Sequence, residues 1–308
     1  MEGKKVLVTG ASGQIGRGLV HVLAKANEVH ALARFGKPAI LEEVQAKAAA
    51  VWRVDMARER PNELPTDYDV VFHEAVDWGG DDSLAAQSAS FHLSCDFLAD
   101  LMARNRAAVF VLGSTGSVYK PVVGTCREDE TPVAGGETYV TAKIAMSQVA
   151  RWVAERFGHR VVELRYWYPF APYLPHPRAE KLMHGDILGD NPRAIHQRTY
   201  IKHHVDKTIL AAEHAACPPQ VINCATDEAL TLGELARIGS RLTGAPLSDK
   251  AQRPGTEPGP GHVADTAKMV RLLGPSTVST EEGFRRYLRA RREGITWPED
   301  WMFEGPMR

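Results

Sequence analysis

The sequence predicts an α/β protein built on a parallel sheet, doubly wound with helices on both faces, and three observations predict it. Short β-branched runs alternate with helix-patterned segments through the first half of the 308 residues. A glycine-rich turn joins the first of these runs to the first helical pattern. Beyond Tyr166 the alternation gives way to Pro-, His- and Gly-rich sequence, so a smaller C-terminal substrate-binding part is expected.

Expected strands are Val6–Thr9, Val29–Ala33, Val51–Val54, Val70–His73, Val109–Gly113 and Val161–Tyr166. Each is short and bounded by turn residues or by a helix, as strands covered on both faces are. Ile15, Leu19, Val22 and Leu23 recur at helical spacing and would face the sheet. A later helix is expected from about Tyr139 to Phe157, partly burying Ile144, Met146, Val149, Val153 and Phe157, with Gly158 as its stop. Residues 168–198 read as loop or short helix, and Val221–Cys224 as a strand returning to the sheet. Thr231 to Glu234 forms a capping box opening a helix over 232–243, stopped by Gly244. Residues 253–261 read as a loop, and Ser279 to Glu282 opens a second capped helix through Leu288. The expected division is a dinucleotide-binding domain over 1–166 and 195–226, with a substrate-binding part over 167–194 and 227–308.

Composition removes several function classes. A hydrophobic share of 44% is that of a globular chain, and a formal net charge of −1 gives no support for a nucleic-acid or anionic-membrane partner. No apolar stretch approaches a membrane span, and the run before Gly10 is too short for a signal peptide's apolar core. Cys95, Cys126, Cys217 and Cys224 form no CxxC pair and read as reduced thiols of a cytoplasmic protein. His203 and His204 stand near Asp206, but adjacent side chains point apart, so no metal is expected.

The strongest motif is Thr9-Gly10-Ala-Ser-Gly13-Gln-Ile-Gly16, between an expected strand and an expected helix. Gly10 permits the tight turn, Gly13 lets backbone approach a pyrophosphate, and Gly16 lets the helix pack on the strand. Free N–H groups and the helix dipole then favour phosphate, which makes the sheet Rossmann-type. The plain alternative, a glycine-rich turn, does not account for the placement on strand, turn and helix. At the end of the second strand stand Ala33 and Arg34, with Lys37 nearby and no carboxylate. Arg34 could pair with a 2′-phosphate, which favours NADP over NAD, or it could be a solvated charge. Asp55 could accept a hydrogen bond from adenine, or be a turn residue.

Tyr139 and Lys143 lie at i and i+4, on one helix face. A hydride moving to a carbonyl needs a proton donor at the oxygen, and the reverse reaction needs a base. A nearby ammonium stabilises phenolate, so Lys143 could tune Tyr139. Thr115, at the end of an expected strand, could orient the substrate oxygen. A surface Tyr/Lys pair and turn hydroxyls are the plain alternatives. They do not explain cradle, hydroxyls and Tyr/Lys in this order.

These segments carry a resemblance. TGASGQIG at 9–16, VVFHEA at 70–75, GSTGSVY at 113–119, YVTAK at 139–143, RYWYPFAP at 165–172, RTYIKHHVD at 198–206 and Asp265-Thr-Ala-Lys268 before Leu272-Leu273-Gly274 together resemble the extended short-chain dehydrogenase/reductases, the NAD-dependent epimerase/dehydratase family. The resemblance implies Thr115, Tyr139 and Lys143 as the catalytic set. It places Gln14, Ile15, Ala75, Tyr139 and Lys143 on the dinucleotide, Lys143 at the nicotinamide ribose, Pro169 beside the nicotinamide, and His203 or His204 in a turn packing under the pocket. Ser117, Tyr168 and Arg198 fall on the substrate side, where Arg198 is either a phosphate contact or a structural ion-pair partner. A small-molecule substrate, in many relatives a nucleotide sugar, and a homodimer paired through the Tyr–Lys helix are also implied. The chain departs from the family at Tyr168, where asparagine is common, in a short stretch between Pro172 and Arg198, and at Phe91-His-Leu-Ser94, where an asparagine is missing.

The leading expectation is an NAD(P)-dependent oxidoreductase moving hydride between nicotinamide and a secondary alcohol or carbonyl. A sugar-nucleotide epimerase or dehydratase that retains NAD is the alternative. A non-catalytic dinucleotide sensor is the third reading, opposed by the presence of Tyr139 and Lys143.

Overall fold

A computed structural model describes residues 1–61, 63–77, 83–106, 108–133 and 137–305. In chain order its strands are β1 (Lys5–Thr9), β2 (Glu28–Ala33), β3 (Ala50–Arg53), β4 (Val70–His73), β5 (Val109–Thr115), β6 (Arg160–Tyr166), β7 (Pro169–Phe170), β8 (Ile195–His196), β9 (Thr199–Tyr200), β10 (Gln220–Cys224) and β11 (Leu230–Thr231). Its helices are α1 (Gln14–Leu23), α2 (Pro38–Gln45), α3 (Leu84–Phe91), α4 (Leu98–Arg104), α5 (Thr138–Phe157), α6 (Pro177–Met183), α7 (Ile201–Ala211), α8 (Leu232–Thr243), α9 (Asp249–Gln252), α10 (Ala267–Leu273) and α11 (Thr280–Glu293).

The main sheet has seven strands in the order β3-β2-β1-β4-β5-β6-β10, and the pairs β2–β3, β1–β2, β1–β4 and β4–β5 are parallel. Strand order reverses between β1 and β4. That is the switch point at which open α/β sheets bind ligands. The register sets Thr9 beside His73 there, and Thr9 Oγ1 lies 2.9 Å from His73 Nδ1. Leu7, Leu32, Val71, Phe110 and Leu112 of the strands pack with Phe97, Leu98 and Leu101, and with Met146 and Val153 of α5. Burial on both faces is why these strands read as continuous apolar runs.

By compactness the chain divides into two units. The first holds residues 1–118, 131–165 and 207–222, and the second holds 119–130, 166–206 and 223–308. In the second, Thr231 caps α8 through the expected reciprocal bonds with Glu234, and Gly244 ends it in the left-handed region. Phe170 meets Phe284 and Tyr200 edge-on, and a Cβ at Gly283 would lie 2.9 Å from Phe170 Cζ and Tyr200 Cβ, so α11 approaches that aromatic group through a glycine.

Several local expectations change. β5 continues to Thr115 instead of ending at Gly113. Phe157, expected half-buried, is 48% exposed beside Trp152, which is 61% exposed. The stretch 168–198 holds β7, α6 and β8. His203 and His204 lie in the first turn of a buried helix, not in a loop turn, because Ile201, Val205 and Ile209 give that helix an apolar stripe. Residues 84–104 are helical, with a π-helical turn over His92–Phe97 joining α3 to α4. Among the described residues no helix is long and apolar enough to cross a membrane.

Candidate active site

The cradle begins where β1 ends. Gly10 takes a positive φ of 69°, and its carbonyl accepts a 2.8 Å bond from Gly13 N, closing the turn. A side chain at Gly16 would run into the Gly10 carbonyl, lying 2.8 Å from its carbon, so only glycine lets α1 start this close to β1. Gln14 and Ile15 form the first turn of α1, and Gly13 caps it with no side-chain hydrogen bond. No side chain of the cap residue competes for the first-turn amides, as at helix starts that accept an anion. The cleft above them is lined by Gly10, Ser12, Gly13, Ala33, Arg34, Asp55, Glu74, Ala75 and Asp77. These residues fit a dinucleotide: a glycine turn, a helix start without a side-chain cap, and a shelf along the ends of the strands.

Arg34 does not stand alone in that cleft. Its Nη1 donates to Asp77 Oδ2 at 3.1 Å. Asp55 accepts from Ala57 N at 3.1 Å through Oδ1 and from Arg58 Nη1 at 2.6 Å through Oδ2.

The reactive side chains meet at the end of β5. Tyr139 opens α5 and shares a hydrogen bond with Thr115, the last residue of β5. Burial raises the Tyr139 phenol above its usual range, the Thr115 bond lowers it, and the Glu74 carboxylate raises it again. Lys143 lies one turn along α5. Its ammonium donates to Gly113 O at 2.6 Å and Ala75 O at 3.4 Å. Burial drives Lys143 below the lysine range, opposed by Glu74 and then Glu163. Glu163 is itself held by Arg165 at 3.0 Å. His73 is pushed down to about 3 by burial and by the charge of Lys143, so it stays neutral. Ser117 is exposed and donates its amide to Thr115 Oγ1 at 3.2 Å.

Sequence reasoning missed Glu74. A signal existed: a carboxylate follows the apolar run VVFH directly, at the ligand-binding end of a parallel strand.

The second unit groups the other residues. Tyr168 takes a positive φ of 42°, uncommon for a non-glycine residue and often tied to a binding site. Its ring lies 5.0 Å from the Arg198 guanidinium and 4.5 Å from the His196 ring. Arg198 is buried, and among the described residues its Nε and Nη2 find no hydrogen-bond partner. Burial pushes Arg198 down to about 10, with Tyr168 pulling it up and Arg178 pushing it down. Burial, then Arg198 and Arg178, push His196 to about 4. Pro169 lies in β7, paired with Thr199 of β9. His204 Nε2 donates to the Trp167 carbonyl at 3.2 Å, and His203 Nδ1 lies 3.1 Å from Ser276 Oγ. No cluster of three metal-ligating side chains forms among the described residues.

A family model, that of the NAD dependent epimerase/dehydratase family, matches residues 6–225. The chain belongs to this family. No curated protein sequence matches it. Among solved structures it is similar to a UDP-N-acetylglucosamine 4-epimerase from Methanobrevibacter ruminantium M1, at 20% identity and a TM-score of 0.79 over 96% of this chain and 100% of that one. It is also similar to a UDP-glucuronic acid 4-epimerase from Bacillus cereus bound to NAD, at 22% identity and a TM-score of 0.77, covering 94% and 99%. A UDP-glucose 4-epimerase from Thermotoga maritima follows at 22% and 0.73, covering 94% and 99%. At such identities the likeness speaks for the fold, which family members share with these epimerases.

Proposed function

We propose that the protein is an NAD(P)-dependent oxidoreductase of the extended short-chain type, acting at a secondary alcohol or carbonyl of a sugar nucleotide. The observation that carries this reading is the Thr115–Tyr139 hydrogen bond with Lys143 one turn away, at the end of β5. A nicotinamide bound at the cradle would supply the hydride acceptor or donor. Tyr139 then gives a proton to the substrate oxygen or takes one from it, and Thr115 holds that oxygen by its hydroxyl. Lys143 keeps positive charge beside the phenol, and Gly10, Gly13, Gln14, Ile15, Gly16 and Ala75 hold the dinucleotide. On the substrate side, Arg198 of the second unit takes a phosphate with Tyr168 packed against it, Ser117 of the first unit is a further substrate contact, and Pro169 stands beside the nicotinamide. The buried guanidinium, with two nitrogens unpartnered among the described residues, supports an anionic substrate. Three relatives in solved structures are named for UDP-sugars, which favours a retained cofactor and epimerisation as the second reading.

NAD is favoured for the cofactor. Asp77 already holds Arg34, and its carboxylate would repel a 2′-phosphate. NADP is the alternative, since the half-exposed Arg34 side chain lines the cleft and could exchange Asp77 for a 2′-phosphate. Pairing of two copies through α5 is supported by exposed Trp152 and Phe157 on that helix. A cytoplasmic location fits the chain's four free cysteines. The test is to denature protein purified without added cofactor and identify what it releases. Near-stoichiometric NAD⁺ points to the self-recycling epimerase or dehydratase. An empty protein that binds and turns over cofactor points to a reductase. Activity unchanged in Tyr139→Phe would overturn both.

A further inference from the structure

Glu74 has no part in the scheme above, yet it lies at its centre. It follows β4 directly, its backbone amide bonds Thr9 O at 3.2 Å, and its side chain lines the dinucleotide cleft. The carboxylate rests against Gly113. A Cβ there would lie 2.9 Å from Glu74 Cδ and collide with Oε2, so Gly113 lacks a side chain where Glu74 needs the space. The carbonyl of that same Gly113 accepts the Lys143 ammonium. Two residues further along β5, Thr115 holds Tyr139. One strand end therefore brings a carboxylate, an ammonium and a phenol together.

Glu163 on β6 is paired with Arg165, Arg34 is paired with Asp77, and His73 on β4 is neutral. The Glu74 charge bears on both Lys143 and Tyr139, and Glu163 adds to it at Lys143.

We propose that Glu74, resting against Gly113, is a positioning residue that adds to burial in holding Tyr139 as a protonated phenol and opposes burial in favouring the Lys143 ammonium, poising the site for proton donation to a carbonyl oxygen. The inference rests on the reading of Tyr139 as the proton-transfer residue. Its physical basis is like-charge repulsion: a phenolate forming close to a carboxylate in a buried site is disfavoured. The resting site then holds the proton that carbonyl reduction consumes. Alcohol oxidation, which needs the phenolate, requires more alkaline conditions than it would without Glu74.

The experiment needs neither cofactor nor substrate. The full chain is labelled with tyrosine carrying ¹³C at Cζ, and the Tyr139 signal is identified by its loss in Tyr139→Phe. Its pH titration is compared in the native chain, Glu74→Gln and Glu74→Asp. Removing the charge should move the Tyr139 transition to lower pH by about one pH unit, a tenfold change, while the aspartate variant stays near the native chain. Gly113→Ala, which displaces the carboxylate without removing it, should move it the same way and serves if Glu74→Gln does not fold. An unchanged transition in whichever of the two folds, or one moved to higher pH, overturns the proposal. Full activity in Tyr139→Phe would instead sink the functional reading, and the titration would still report whether Glu74 controls the phenol.

Discussion

Lys143 in the first unit and Arg198 in the second are buried cations of similar depth, at 4% and 3% exposure, and each belongs to a group that includes a tyrosine. Their surroundings differ in kind. The Lys143 ammonium has two backbone carbonyls, and Glu74 and Glu163 pull it toward the charged form. Arg198 has the ring of Tyr168 and two nitrogens that find no partner among the described residues, and Arg178 pushes against its charge. An unpaired buried charge is costly, and the anion contact proposed for Arg198 would offset that cost. In the proposed reading the first unit carries chemistry already assembled, and the second carries half of an ion pair.

The largest test of this contrast is Tyr139→Phe. Turnover should fall by about 10²–10⁴-fold while dinucleotide release on denaturation stays unchanged, because the proposed role of the phenol is proton transfer and the cradle would supply most of the hold on the dinucleotide. Loss of both together would mean that the first unit is less assembled than its geometry indicates.

Arg198→Met comes next. It should weaken binding of a nucleoside diphosphate, read by calorimetry, by about 2–5 kcal/mol, as truncating one side of a buried charge pair does. The same change should leave the thermal midpoint level or raise it, since an unpaired charge is removed. Lys143→Met should lower the midpoint, because it strips two carbonyls of their donor. If both variants lose stability alike, the contrast between the units breaks.

A titration treats the units equally. His73 in one and His204 in the other are each depressed to about 3, chiefly by burial. Folded, both stay neutral, while the unfolded chain takes up protons below its ordinary value near 6.5. Stability is therefore full above that value and declines as pH falls toward 3, by about 2 kcal/mol for each histidine between pH 7 and 5. Urea midpoints at those two pH values check it, and a flat profile would mean that the rings are hydrated.

The smallest effect should come from Arg34→Ala. With Asp77 holding the guanidinium, NADH and NADPH affinities should change by less than about tenfold relative to each other, the size of a screened surface pair. A selective loss of NADPH would restore the 2′-phosphate reading.

What the sequence makes legible is local. The cradle spans Thr9–Gly16 and the Tyr–Lys pair spans one helical turn, so spacing alone presents them. Thr115 reads as a strand end by the same logic. Features set across long separations stay hidden: Arg34 meets Asp77 43 positions later, and Glu74 meets Gly113 39 positions later. The choice between ion-pair partner and anion contact at Arg198 also needs the packed second unit, since it turns on what does not reach the guanidinium. The helix α7 is obscured by its composition, because buried Lys202, His203, Asp206 and Lys207 mask an apolar stripe, and Lys202 bonds Asp206 inside it.

The placing of β10 in the main sheet bears on synthesis. β6 is complete at Tyr166, but its outer neighbour is made of Gln220–Cys224. During translation β6 is therefore an open strand edge until more than fifty further residues have left the ribosome. An unpaired edge recruits foreign strands. A chain that stopped between Tyr166 and Gln220 would lack the strand that covers β6.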